Sequence, residues 1–268
     1  MARAPRSTEL AARIRRDIIE QSHRANVGHI GSALSVADLL AALFCGWLRL
    51  DGDDRDRFTL SKGHAGLALY AALEASGRLA AGSIDTYCAD DTLLGEHPVV
   101  DLAGIDFSTG SLGQGLSMAT GAALAAKMRG SARRSVVVIS DAELNEGCVW
   151  EAVMFAGHHR LDNLVVLVDR NGQQALGFTE DVLDLGAVET KFRGFGWRAE
   201  VVDGHDHEAL AAALARSQET EGRPHVLVAD TTFGKGVDFM ASRIEWHYLP
   251  LSAEQYENAL SQLEAARA

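Results

Sequence analysis

Two short runs, Val136-Val137-Val138-Ile139 and Leu164-Val165-Val166-Leu167-Val168, are apolar at every position and show no polar alternation. Such runs fit strands buried on both faces, as in the interior of a parallel sheet. Between them, Gly147 to about Arg160 places Val149, Val153 and Phe155 among its apolar positions, a helical stretch. Strand, helix and strand over about thirty residues make a βαβ unit, with a right-handed crossover expected. Further strands are predicted over Arg198–Val202 and His225–Ala229, with a helix from His207 to Ser217 between them. Nearer the start, Leu10, Ile14 and Ile18 give helical spacing from Thr8 to about Arg24. A second helix is predicted to begin at Ser35, with Ser35 and Asp38 as a capping box and Leu39, Leu43 and Trp47 as its buried stripe. Residues Asp51 to Arg57 read as a charged turn. Leu116 to Ala126 reads as a small-residue helix, and the tail after Ser252 as a helix that could dock against a partner. The fold class is α/β: a doubly wound, mostly parallel sheet with helices on both faces, residues 1–268 forming one domain.

Charge narrows what such a domain binds. Lys plus Arg number 25 against 37 Asp plus Glu, a net charge of −12. Phosphodiester backbones and anionic membrane surfaces repel such a chain, so no nucleic acid and no membrane are expected as partners. The longest uncharged window, Phe107 to Ala126, is broken by Gly110, Gly113, Gln114, Gly115 and Gly121 and is too polar to span a bilayer. The basic start, Met1 to Thr8, lacks the apolar stretch of a secretory signal. Cys45, Cys88 and Cys148 are odd in number and lie at neither metal nor redox spacing, so a reduced, cytoplasmic location is expected.

In open α/β sheets, ligands sit beyond the carboxyl ends of the strands. Asp141 follows the first apolar run, and Asn171 closely follows the second. If those strands are neighbours, both residues face one crevice. A carboxylate, an amide oxygen and a nearby backbone carbonyl are hard donors that suit Mg²⁺ or Ca²⁺, with phosphate oxygens completing the shell. A local reading competes: Asp141 as a helix cap, Asn171 as a turn with Gly172, and spacing alone leans to it. The stretch Gly110-Ser111-Leu112-Gly113-Gln114-Gly115 has the wrong glycine order for a dinucleotide fingerprint, yet it would let a cofactor ring approach the backbone closely. Gly234-Lys235-Gly236 lacks the rest of a P-loop. His29, His64 and His97 stand beside glycine or proline, and His247 follows Trp246; all four fall in loops, where function is carried on a rigid scaffold. His158, His159, His205, His207 and His225 read as ordinary solvated or hydrogen-bonded histidines.

Together these residues carry a family resemblance. Ser140-Asp141-Ala142-Glu143-Leu144-Asn145-Glu146-Gly147, Trp150-Glu151-Ala152, Leu161-Asp162-Asn163-Leu164 and Asp169-Arg170-Asn171 resemble the thiamine diphosphate motif of transketolases. Gly28-His29-Ile30-Gly31, Ser61-Lys62-Gly63-His64, Thr109-Gly110-Ser111-Leu112-Gly113-Gln114-Gly115 and Trp246-His247 resemble other blocks of that family in the same order, over nearly the whole chain. The resemblance implies the thiamine diphosphate-binding fold and transfer of a two-carbon ketol unit from a ketose to an aldose. It implies that Asp141, Asn171 and the Gln173 carbonyl hold Mg²⁺, with Ca²⁺ an alternative. It implies that His64, His247, Gly110, Leu112 and Ala142 contact the cofactor. It places His29, His97 and His247 at the reacting groups as proton-moving residues. Glu146 matches a family glutamate at the subunit interface beside the cofactor.

Two departures matter. Ser140-Asp141-Ala142 stands where the family has Gly-Asp-Gly, and the loop is expected to stay at negative φ and still bind cofactor. The chain is also about half the family's length or less. It is expected to be the diphosphate-binding subunit of a split enzyme, inactive without a separately encoded chain that carries the pyrimidine-binding domain, in an α₂β₂ assembly. Whether the sugars are phosphorylated is left open. The competing readings are the α subunit of another thiamine diphosphate enzyme, such as a 2-oxo acid dehydrogenase or a biosynthetic transferase, and a non-catalytic scaffold subunit.

Overall fold

The apolar runs become neighbouring strands of one sheet. The computed structural model describes residues 4–219 and 222–266. In chain order it has α1 (Ala4–Ala25), α2 (Ile30–Phe44), β1 (Arg57–Leu60), α3 (Gly66–Ala75), α4 (Gln114–Met128), β2 (Ser135–Ser140) and α5 (Gly147–His158). There follow β3 (Leu164–Arg170), the short β4 (Gln173–Gln174) and β5 (Gly177–Phe178), α6 (Thr179–Leu183), α7 (Val188–Gly194), β6 (Arg198–Asp203), α8 (His207–Arg216), β7 (His225–Asp230) and α9 (Ala253–Ala265). Among the described residues the main sheet has five strands in the order β1-β2-β3-β7-β6. Every pair in it is parallel. β4 and β5 form a separate antiparallel pair just past the end of β3.

Strand alternation divides the interior into two layers. Val136, Val138, Val165, Leu167, Leu227 and Ala229 face a core completed by α1, α2, α3, α8 and α9. Val137, Ile139, Val166, Val168, Val226 and Val228 face the opposite core, completed by α4, α5 and α7. Central strands covered on both faces have no solvent side to mark with polar residues, which is why the runs are uniformly apolar. The tail helix α9 docks its apolar face on its own chain. It packs on α1 of its own chain, burying Ala259 and Leu263, with Tyr256 stacked on His23 at 4.3 Å. Among the described residues no helix is long and apolar enough to cross a membrane. The basic segment from Met1 is described only from Ala4, where α1 already begins.

The starts of α2 and β1 differ from the sequence reading, and α2 ends at Phe44, so Trp47 lies beyond it. Helix α2 starts at Ile30, not Ser35, and its N-cap is His29 in the left-handed conformation (φ 57°). Ser35 and Asp38 cap nothing. Both are buried mid-helix, where Ser35 bonds to Asp169, and Asp38 to Arg15, His205 and His207. A Ser-x-x-Asp pattern looks the same whether its oxygens serve a helix end or a distant partner. The charged turn before β1 ends at Asp56, and Arg57 already opens an edge strand whose four residues are too few to stand out by pattern.

Candidate cofactor site at the strand ends

The carboxyl ends of β1, β2, β3 and β7 deliver Ser61–His64, Asp141, Asn171 and Thr231 to one edge of the sheet. β2 and β3 are adjacent, and the Asp141 N–H extends their ladder to the Asp169 carbonyl at 3.2 Å. Asp141 Oδ2 accepts from the Gly172 N–H at 2.8 Å and from Thr179 Oγ1 at 3.1 Å, so it lies against the turn that carries Asn171. Asn171 Oδ1 accepts the Gln173 N–H at 3.0 Å, and its Nδ2 donates to Ser35 Oγ at 3.2 Å. The cap and turn contacts are present too: Asp141 Oδ1 accepts the Ala142 N–H at 3.0 Å. Local bonding and a shared crevice are thus not alternatives; the local bonds aim the side chains. Ala142 is not among the residues of positive φ, as expected for a residue replacing glycine there.

At this corner the buried cation, Lys62, is already paired with Asp169 and only partly offsets the strain on Asp141. Burial, then the neighbouring Asp169 carboxylate, push the Asp141 carboxyl up to about 6. The buried Gln173 Oε1 has no hydrogen-bond partner among the described residues. A divalent cation would relieve the first of these directly. No cluster of three or more His, Cys, Asp or Glu side chains suited to a metal occurs among the described residues. The donor set fits the alternative of one carboxylate, one amide and one carbonyl completed by diphosphate oxygens.

Three of the four loop histidines converge. His29 and His247 have ring centroids 4.9 Å apart, His29 and His64 5.4 Å, and His64 and His247 5.7 Å. The His29 N–H donates to the His247 carbonyl at 3.2 Å, which ties the start of α2 to the segment ahead of α9. The two glycines of Gly28-His29-Ile30-Gly31 make this approach possible. A Cβ on Gly28 would fall 2.6 Å from the Tyr248 carbonyl oxygen, and one on Gly31 2.0 Å from the Phe233 ring. His64 Nε2 lies 2.8 Å from Ser32 Oγ, and His29 Nδ1 2.5 Å from Glu96 Oε1. Burial holds the His64 imidazole well below its usual range, with Lys62 and the other histidines adding to the effect. Burial, then His29 and Lys62, push His247 down to about 4. Both rings are therefore neutral at pH 7, able to accept a proton or to donate one from the other nitrogen.

His97 stands apart from that trio. It lines an open cleft of about 460 Å³ with Ser108, Thr109, Gly110, Ser111, Gln114 and Met118. Gly110 thus shares the His97 cleft, while Leu112 lies half-buried in the same loop. Glu146 is exposed beside Gly113 and reaches none of the metal-side residues through a hydrogen bond.

The residues that fasten this edge carry no assigned role in the sequence reading. Lys62 pairs with Asp169, which also accepts from Ser35 Oγ at 2.7 Å and from Thr231 Oγ1. Glu143, Ser32 and Glu96 belong to the same group. The signal available for Asp169 and Lys62 was a charge adjoining a segment buried on both faces, which demands a partner.

Comparison with known proteins agrees with this geometry. Residues 6–265 match the family model described as "Transketolase, thiamine diphosphate binding domain". The 6-deoxy-6-sulfo-D-fructose transketolase subunit SqwG of Clostridium sp. (strain MSTE9) is 38% identical over 94% of this chain and 94% of its own length. An apulose-4-phosphate transketolase subunit of Phocaeicola vulgatus is 37% identical over 93% of this chain and 90% of its own length. Human transketolase is 35% identical over 95% of this chain but only 41% of its own length. The crystal structure of the Campylobacter jejuni transketolase superposes with a TM-score of 0.87 at 27% identity; the match covers 97% of this chain and 42% of that one. This chain therefore belongs to the transketolase family and comprises its thiamine diphosphate-binding domain.

Proposed function

We propose that the protein is the diphosphate-binding subunit of a two-chain transketolase, transferring a two-carbon ketol unit from a ketose to an aldose together with a separately encoded pyrimidine-binding chain, in an α₂β₂ assembly. The observation that carries this reading is the convergence of His29, His64 and His247 beside the Asp141–Asn171 corner. Two relatives that it matches over 90% or more of their own length are themselves named as subunits. Asp141, Asn171 and the Gln173 carbonyl would hold Mg²⁺, with Ca²⁺ as a substitute. Bound thiamine diphosphate supplies the nucleophilic carbon and the electron sink that ketol transfer needs.

The chain's own residues supply position and proton traffic. The neutral His64 and His247 can each donate one N–H to diphosphate oxygens without a cation's full charge. His29 and His247 present imidazole nitrogens to the sugar's hydroxyl and carbonyl oxygens, where a proton must leave and return as a carbon–carbon bond breaks and forms. Glu96, on His29 Nδ1, selects the tautomer with that nitrogen protonated, leaving Nε2 as the acceptor. His97, which lines the neighbouring cleft, would act on the same donor.

The test is reconstitution. The chain combined with the pyrimidine-binding chain should transfer a ketol unit from ketose to aldose only with thiamine diphosphate and a divalent cation, and light scattering should give the α₂β₂ mass. Turnover by the isolated chain would refute the split. Turnover of a 2-oxo acid but no ketose would move the activity to another branch of thiamine diphosphate chemistry. Association without any turnover would mark a scaffold.

A further inference from the structure

Glu143 has no part in the metal corner or the histidine trio, yet three segments of the site meet on it. Its side chain is fully buried, in the turn after β2. Oε1 accepts from Ser61 Oγ at 2.5 Å and from the Gly113 N–H at 2.8 Å; Oε2 accepts the Ser140 N–H at 2.9 Å. Ser61 immediately precedes Lys62-Gly63-His64. Gly113 ends the glycine-rich loop and caps α4 at φ 85°. Ser140 immediately precedes Asp141.

We propose that Glu143 is a positioning residue that fixes the His64 loop, the glycine-rich loop and the Asp141 turn at one mutual spacing, and thereby sets the affinity of the chain for thiamine diphosphate. The proposal rests on the cofactor reading above. Tolerance at this junction is small. A Cβ on Gly63 would stand 2.8 Å from the Gly110 nitrogen, and one on Gly115 2.3 Å from Ser61 Oγ, so the two loops already touch backbone to backbone. A carboxylate suits the place because all three neighbours donate and both of its oxygens accept. The carboxamide of glutamine has the same shape but sets an N–H₂ against one of those donors, leaving a buried group unsatisfied. The carboxylate also lies at the positive N-terminal end of α4, which favours its charge.

The test compares wild type, Glu143→Gln and Ser61→Ala as the natively assembled protein, titrated calorimetrically with thiamine diphosphate at saturating Mg²⁺. Thermal unfolding of the cofactor-free forms and turnover at saturating cofactor are followed alongside. Glu143→Gln should weaken cofactor binding roughly tenfold or more, and Ser61→Ala about threefold. The loss of affinity should exceed the loss of turnover at saturation. The losses in the double variant should fall short of the sum of the two single losses, because Ser61 and Glu143 share a hydrogen bond. Wild-type affinity in Glu143→Gln overturns the proposal, as does a loss accounted for by the fraction already unfolded without cofactor. Should Glu143→Gln not fold, unchanged affinity in Ser61→Ala overturns it. Absence of saturable binding by wild type overturns the cofactor reading as well, whereas a binding wild type with unaltered variants overturns this proposal alone.

Discussion

Lys62 and Asp169 form an ion pair from which water is excluded on both sides, neither side chain having any exposed surface. Lys62 also donates to the Ser32 carbonyl at 3.2 Å. Asp169 also holds Ser35 of α2 and Thr231 beyond β7. One buried pair thus joins the exits of β1, β3 and β7 to the helix that carries His29 at its start.

Breaking such a pair from one side strands a charge in the interior. Lys62→Met is expected to cost about 3–5 kcal/mol of stability in urea unfolding. Replacing Asp169 with leucine in the same chain should recover part of that loss. A Lys62→Met variant within about 1 kcal/mol of wild type would show that Asp169 finds compensation elsewhere.

Asp141→Ala separates ligand binding from folding. A carboxyl pushed up to about 6 is ionised at pH 7 at a cost to the cofactor-free fold, which offsets the hydrogen bonds it accepts, so that form should unfold near wild type. Wild type at a hundredfold excess of thiamine diphosphate over Kd, with Mg²⁺, should gain roughly 2.7 kcal/mol. The variant, and wild type in a chelator, should lose most of that gain. The comparison is read by thermal shift with and without each ligand.

The depressed histidines fix the sign of an acid response. In the unfolded chain His64 and His247 protonate near 6.5, whereas in the folded chain burial keeps them neutral, His247 to about 4. The unfolded state therefore takes up protons first, and their contribution, fully present above about pH 6.5, is lost as pH falls toward 4. Unfolding midpoints measured between pH 7 and pH 5 should fall less steeply in His247→Asn than in wild type.

Asp38 anchors a second buried polar cluster on α2. Its carboxylate accepts from Arg15, from His205 Nδ1 at 2.6 Å and from His207 Nε2 at 3.0 Å, and these partners outweigh burial and hold it far below the usual carboxylate range. His205 Nε2 accepts the Thr232 N–H at 2.8 Å, which leaves Nδ1 as the protonated nitrogen facing Asp38. Asp38→Ala should cost about 3 kcal/mol or more in urea unfolding at pH 7. Because a depressed carboxyl stabilises above its unfolded value, the difference from wild type should shrink as pH falls below about 4.

Short, uniformly apolar, β-branched runs fit strands covered on both faces, so β2, β3 and β7 were legible from residues 136–139, 164–168 and 225–229. Asp141, Asn171 and the loop histidines stood out as candidates, because strand ends and glycine-flanked turns are local features, but spacing alone favoured a cap and a turn for the first two. The start of α2 and the roles of Lys62, Glu143 and Asp169 were not legible. Ser35 lies 134 residues from Asp169 and Ser61 82 from Glu143. A buried polar group must find a partner, but which one depends on where the sheet order sets the strand ends and helices against each other. The chain's pattern determined which segments would be buried and where polar groups would gather; only the packed structure decided which of those groups would meet.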